Sequence, residues 1–139
     1  MPIRDCLSSS GRLAPVRKQY HFWPGEHGLN ARDVDRLVAL SQGLPVVEIS
    51  LADIGELDSN YWFDHGEQPT VRRIVEHFRL TQAVDMSFPV ILGPDGRVMD
   101  GMHRIARALL EDRLSIAAVR LPGIPDPDFI GCRPEDLTY

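Results

Sequence analysis

The residues with the clearest chemistry in this sequence are five in a row, Asp100-Gly101-Met102-His103-Arg104. Arg97-Val98-Met99, the second strand of a predicted hairpin, precedes them and a stretch of good helix formers follows, which predicts a strand–turn–helix loop. Such a loop leaves the first N–H groups of the helix unpaired, at the end where the helix dipole favours an anion. Gly101 permits a sharp turn, Arg104 offers donors that match a phosphate, and His103 can donate or accept a proton. The pattern therefore predicts an anion site, and a nucleotide phosphate is the favoured anion.

A simpler interpretation of the same residues stays open. Asp100 is a common type of helix N-cap, and its carboxylate would then occupy the place of the anion. His103 and Arg104 would in that case be solvated residues of the first helical turn. The residue types alone do not separate the two interpretations.

Four further positions are candidates for the same chemistry. Arg73 and His77 lie four apart in a predicted helix and so share a face, from which both could contact a phosphate. The alternative is a solvated helix face. Glu48 is a candidate general base, as is the acidic loop from Glu56 to Asp58, and ordinary surface charge is the alternative for both.

Histidine and cysteine spacing argues against metal and disulfide chemistry. The five histidines form neither HxH nor HExxH, so a structural zinc site is not expected. Haem is not expected as a cofactor either. Cys6 and Cys132 are far apart and form no CxxC pair, which makes a reducing cytoplasm the expected location.

Length and charge narrow the function classes. A chain of 139 residues suits one domain, and its net charge of -5 disfavours sequence-independent binding to DNA. No apolar run approaches the roughly 20 residues of a membrane span, so no membrane partner is expected. Oligomeric state cannot be inferred from the sequence.

Apolar periodicity and turn residues predict the elements that hold these side chains. Helices are expected from an N-cap at Asn30 to Ser41, from about 70 to 79, and over 105–110; strands over 45–51, 88–92, 97–99 and 115–121; and irregular chain over 56–60 and 122–128. Together they predict a small α/β (α+β) domain over 30–139, with a mixed sheet and flanking helices. Residues 1–29 are predicted to form an arm.

The arm contains an aromatic cluster, Tyr20-His21-Phe22-Trp23. We expect these rings to dock the arm onto the core. A base-stacking platform is the alternative, although such platforms usually carry interleaved basic residues, and few are present.

The order of hairpin, turn and helix, followed by the strand at 116–119, resembles the ParB N-terminal/sulfiredoxin-like superfamily, which includes the ParB-like nuclease domain family. The resemblance covers roughly the last two thirds of the chain. It implies a ParB/sulfiredoxin-like fold, a bacterial source, and a turn after the hairpin that binds nucleotide phosphates.

The turn differs among members of the superfamily, and each difference bears on activity. Sulfiredoxins have GGCHR, whose nucleophilic cysteine is Met102 here, and a thioether cannot form a thiolate. ParB proteins have GERRxRA, of which only Gly101 and Arg104 match, and the chain has no room for their downstream helix-turn-helix. Free serine kinases have DGHHR, which matches at Asp100, Gly101, His103 and Arg104 and departs at Met102.

The resemblance thus implies a nucleotide- or phosphate-binding domain, in its more specific form an ATP- or ADP-dependent phosphotransferase that acts on a small hydroxyl compound. Asp100 would act as a base or through Mg²⁺, and Glu48 is a weaker catalytic candidate. The expected binding residues are Gly101, Met102, His103, Arg104, Arg73 and His77. Two alternatives stay open: a non-catalytic ligand-sensing or protein-interaction module, and a ParB-like DNA-associated protein gated by a nucleotide.

Overall fold

A computed structural model describes residues 20–25, 28–63 and 66–132. The elements of this part of the chain are, in order, β1 (Tyr20–Gly25), β2 (Gly28–Asp33), α1 (Val34–Ser41), β3 (Val46–Ser50), α2 (Val71–Ala83), β4 (Val90–Leu92), β5 (Val98–Asp100), α3 (Met102–Leu110), β6 (Ser115–Arg120) and β7 (Phe129–Cys132). Two short 3-10 helices, Leu51–Asp53 and Gly55–Asp58, lie between β3 and α2.

The strands form two small sheets. One sheet has the order β3-β6-β4-β5. In it, β4 runs parallel to β6, and the β3–β6 and β4–β5 pairs are antiparallel. The other has the order β1-β2-β7 and is antiparallel. The predicted fold class, a small α/β (α+β) domain with a mixed sheet and flanking helices, is confirmed.

The hairpin of β4 and β5 brings the chain to the candidate turn. Its loop closes through a hydrogen bond of 2.8 Å from the Gly93 N–H to the Arg97 carbonyl. The Asp95 carboxylate accepts from the Arg97 N–H, the usual role of an aspartate in a tight turn. The predicted hairpin is therefore confirmed, and it ends at Asp100 on an edge strand.

A core between this sheet and α3 fixes the turn from the other side. Met102, Ile105 and Ala108 of α3 are buried, at a spacing of three residues that keeps them on one helix face. They pack against Val90 and Val98, which are fully buried. Burying such side chains stabilises the fold by about 1.5–3 kcal/mol each, so the start of α3 is held rigidly.

The predicted start of the first helix is wrong. Asn30 lies in β2, where it pairs with β1 and β7, and α1 begins only at Val34. The N-cap is Asp33, whose carboxylate accepts from the Asp35 N–H at 2.9 Å. Strand pairing between distant segments therefore overrides a local capping signal.

Two strands of the three-stranded sheet lie in segments for which no strand was predicted. The aromatic segment forms β1, paired antiparallel with β2, and β2 crosses the predicted domain boundary at residue 29. Phe129–Cys132, just after the proline-rich stretch, forms β7. The predicted loop at 56–60 begins as a 3-10 helix. The rest of the predicted arm, residues 1–19, lies outside the described residues.

The second helix is confirmed, with the hydroxyl of Thr70 as its N-cap acceptor. Its apolar stripe, however, faces outward over much of its length. Val71 is 78% exposed and Phe78 is 48% exposed, and Thr81 is the buried residue of this helix. An amphipathic helix with an exposed apolar face leaves a surface for something else to cover.

Candidate functional site

The turn between β5 and α3 is built on a glycine in the left-handed region. Gly101 has φ +111° and stands at the N-cap position of α3. A Cβ placed there would lie 2.7 Å from the Arg104 Nη2 and 2.7 Å from the Val90 Cγ1. Only glycine fits both the backbone conformation and the space.

Asp100 does not cap α3. Its Oδ2 accepts a hydrogen bond of 2.9 Å from the Arg104 Nη2, and the two side chains are 12% and 13% exposed. Within the described residues, no side chain caps this helix and none of its first-turn residues is acidic. The Asp100 carboxylate therefore does not occupy the helix terminus, and the interpretation of Asp100 as the N-cap is wrong.

Arg104 is partly committed to this ion pair. Its Nε is buried and has no hydrogen-bond partner in the described part of the chain. A buried guanidinium N–H without a partner is costly, and an incoming acceptor would satisfy it.

Met102, a predicted binding residue, is 6% exposed and packs in the core beside α3. Its side chain is therefore a packing residue, as thioethers beside a turn usually are. What Met102 can offer a ligand at the turn is its backbone N–H.

Two histidines meet beside the turn. His77 Nδ1 of α2 and His103 Nε2 of α3 are 2.8 Å apart, a hydrogen bond in which one nitrogen donates and the other accepts. The planes of the two rings are 17° apart, and their centroids are separated by 5.1 Å. The structure thus brings His77 and His103 together, two positions that the sequence proposed separately.

Trp62 covers this pair, and the sequence analysis missed it. Its indole stacks on the His77 ring at 4.4 Å and on the His103 ring at 4.9 Å, each at an angle of 15°. Phe63 meets the His77 ring edge-on at 5.4 Å. The only signal in the sequence was the run Tyr61-Trp62-Phe63, which has no periodicity that would place it.

The other two predicted positions lie elsewhere. Arg73 pairs with Glu67 on the exposed side of α2, where both side chains are substantially solvated. Glu48 lies on β3, at the sheet edge opposite β5, and accepts from the Ser115 hydroxyl at 2.8 Å. The structure does not bring either residue to the turn.

A partly buried acid, Glu56, and a partly buried phenol, Tyr61, lie near β5 behind the turn. Glu56 accepts from the Val98 N–H at 2.9 Å, and burial raises the pKa of its carboxyl above the ordinary value. Burial, followed by the charges of Glu56 and Asp100, also raises the pKa of the Tyr61 phenol. The Tyr61 phenol is therefore neutral at physiological pH.

The raised pKa of Glu56 gives a pH-dependent prediction. In the window between the ordinary glutamate pKa and the raised one, the folded state binds more protons, so the contribution of Glu56 to stability falls as pH rises. Glu56→Gln keeps an oxygen for the Val98 N–H and removes the charge. We expect this variant to be more stable than the wild type at pH 7, by at most about 1 kcal/mol since Glu56 is partly solvated.

The measurement is urea denaturation of both proteins at pH 7 and pH 4. The difference should shrink at pH 4, where the wild-type carboxyl is largely protonated. An equal difference at both pH values would contradict the assignment of a raised pKa.

The turn is a poor Mg²⁺ site by itself. Mg²⁺ prefers several oxygen ligands, and Asp100 offers one carboxylate that already bonds to a guanidinium. In the described residues, no group of three or more His, Cys, Asp or Glu side chains could hold a metal ion.

No helix among the described residues is long and apolar enough to cross a membrane. Comparison of the chain with protein-family models, with curated proteins and with solved structures finds no match.

Proposed function

We propose that the turn at Gly101–Arg104, together with His77, binds the phosphate group of a small molecule, for which a nucleotide is the class that the sequence resemblance implies. The observation that carries the proposal is the start of α3. This helix terminus, which no side chain of the described residues caps, lies beside Arg104 and the His77–His103 pair.

The physical argument is one of charge and donors. The first N–H groups of α3 and its dipole favour negative charge at the turn. The Arg104 guanidinium adds donors of the kind that bind phosphate oxygens, at about 1.5–3 kcal/mol for each charge-assisted bond. Asp100 opposes an anion, and its pairing with Arg104 offsets part of that repulsion.

The histidine pair supports the catalytic form of the proposal. Phosphoryl transfer to a small hydroxyl compound breaks the bond from the terminal phosphorus to its bridging oxygen and forms one to the acceptor oxygen. The acceptor loses a proton in this step. In a neutral His77–His103 pair, the ring that donates the shared hydrogen bond is unprotonated at its other nitrogen, and that nitrogen can take the proton.

Isothermal titration calorimetry with ATP, ADP and inorganic phosphate, with and without Mg²⁺, tests binding. We expect Arg104→Ala to weaken binding about 10- to 100-fold through the loss of one charge-assisted interaction. Arg79→Ala is the matched control, because it removes an exposed arginine from α2 and should leave binding unchanged.

Near-ultraviolet circular dichroism should show that each variant is folded. Binding that Arg79→Ala weakens as much as Arg104→Ala would reduce the proposal to a general charge effect. No heat with any of the three ligands would refute it.

A further inference from the structure

An apolar groove of about 260 Å³ runs between α2 and α3, next to the histidine pair. Its walls are formed by Trp62, Phe63, Ile74, His77, Phe78, Thr81, Ala106 and Leu110. From this groove we infer that the phosphate ligand of the proposed function is an ester whose organic part is a compact hydrocarbon or aryl group. The inference rests on that proposed function and names its ligand class.

The groove borders the histidine pair beside the turn. His77 lines the groove and is bonded to His103, which is two residues beyond Gly101. Ala106 and Leu110 follow His103 by three and seven residues, so all three share one face of α3. Ala106 lies about 4.5 Å farther along the helix axis than His103, which is within the length of a phosphate ester.

The two helices run in the same direction. His77 is bonded to His103, and farther along both helices the Arg107 guanidinium donates to the Gln82 carbonyl at 2.7 Å. The apolar walls therefore extend alongside α3 from the end that carries the proposed phosphate site. A ligand with one anionic end and an apolar body matches this order of surfaces.

The groove suits a hydrocarbon body better than a nucleobase. Among the described residues, its polar side-chain groups are those of His77 and Thr81 and the indole N–H of Trp62; the Thr81 hydroxyl donates to the His77 carbonyl at 2.8 Å, and His77 Nδ1 is engaged with His103. A base carries several donors and acceptors, and each one buried against hydrocarbon without a partner costs free energy. An aryl or alkyl group has no such cost.

The size of the groove sets the scale of the ligand. Its volume is somewhat below the range of about 300–1,000 Å³ that is typical of pockets for drug-sized molecules, which fits a one- or two-ring group. 1-Naphthyl phosphate is therefore a suitable probe, with inorganic phosphate and 1-naphthol as its two halves.

Calorimetric titration of the full chain with the three probes tests the inference. We expect 1-naphthyl phosphate to bind about 30- to 100-fold more tightly than inorganic phosphate, from apolar area removed from water. 1-Naphthol should bind more weakly than its phosphate ester. If inorganic phosphate binds and the ester binds no more tightly, this inference fails alone; if neither binds, the proposed function fails with it.

Two variants locate the apolar contact. Phe78→Ala removes a half-exposed groove wall and should weaken the ester about 3- to 10-fold while leaving inorganic phosphate unchanged. Ala106→Leu fills the groove and should bring the ester close to the affinity of inorganic phosphate. Val71→Ala is the control, since Val71 is on the same helix, more exposed, and outside the groove.

Sedimentation equilibrium on the wild type and Phe78→Ala addresses a competing occupant, a second copy of the chain. An unchanged mass supports a ligand groove. A wild-type dimer that Phe78→Ala dissociates would overturn the inference, because the groove would then be an interface.

Discussion

Gly101→Ala should lower the free energy of unfolding by about 2–4 kcal/mol. Two costs contribute. The left-handed backbone at φ +111° is unfavourable for alanine, and the new Cβ would lie 2.7 Å from the Val90 Cγ1 and from the Arg104 Nη2. Val90 is fully buried and cannot move aside, whereas the end of the Arg104 side chain could yield only by leaving Asp100. Thermal and urea denaturation measure the loss.

Gly43→Ala is the matched control for this variant. Gly43 also has a positive φ, +81°, and a Cβ there meets no atom within 4 Å. It should therefore show only the backbone cost, about 1–2 kcal/mol. Equal losses at the two positions would mean that the turn has room for a side chain, and the close approach of Val90 to Gly101 would then be wrong.

Asp100→Ala is expected to have the second largest effect on stability and to lower the free energy of unfolding by about 2–3 kcal/mol. The variant leaves the nearly buried Arg104 guanidinium without its carboxylate, and breaking a buried ion pair from one side costs several kcal/mol. Adding Arg104→Met should recover most of the loss, because the double variant has no unpaired charge. Denaturation of both single variants and the double variant completes the cycle.

A surface pair provides the comparison. Glu67→Ala removes the partner of Arg73, and since both side chains are well exposed, the free energy of unfolding should change by at most about 1 kcal/mol.

Asp100→Ala should also bind inorganic phosphate more tightly than the wild type, since the competing carboxylate is gone. Weaker phosphate binding by a folded Asp100→Ala variant would place the anion away from Arg104.

The local pattern of the sequence was sufficient for the elements around the turn. The Gly93–Gly96 turn residues predicted the hairpin, and the i, i+3, i+4 stripe predicted α2. These signals are short in range, because turn chemistry and amphipathic periodicity depend on residues close in sequence. The same kind of signal misplaced the start of α1 at Asn30, where pairing with β7, about 100 residues away, decides the structure.

The sequence predicted the residues of the turn but not the aromatic side chain that covers the histidine pair. Asp100, Gly101, His103 and Arg104 are adjacent in the chain, so their proximity was certain and their roles were not. Trp62 lies about 40 residues away from His103, and no periodicity connects the two. Its position over the histidine pair follows from packing of the segment before α2 against the core.

By itself, the sequence determined the class of the fold and the composition of the turn. A glycine between a strand and a helix, followed by histidine and arginine, restricts the local chemistry to anions and protons. Only the tertiary structure decided that Asp100 pairs with Arg104, that His77 meets His103, and that the apolar stripe of α2 borders a groove. The reason is physical: partner choice depends on distances between elements, which packing sets, whereas residue type fixes only what each side chain can do once a partner arrives.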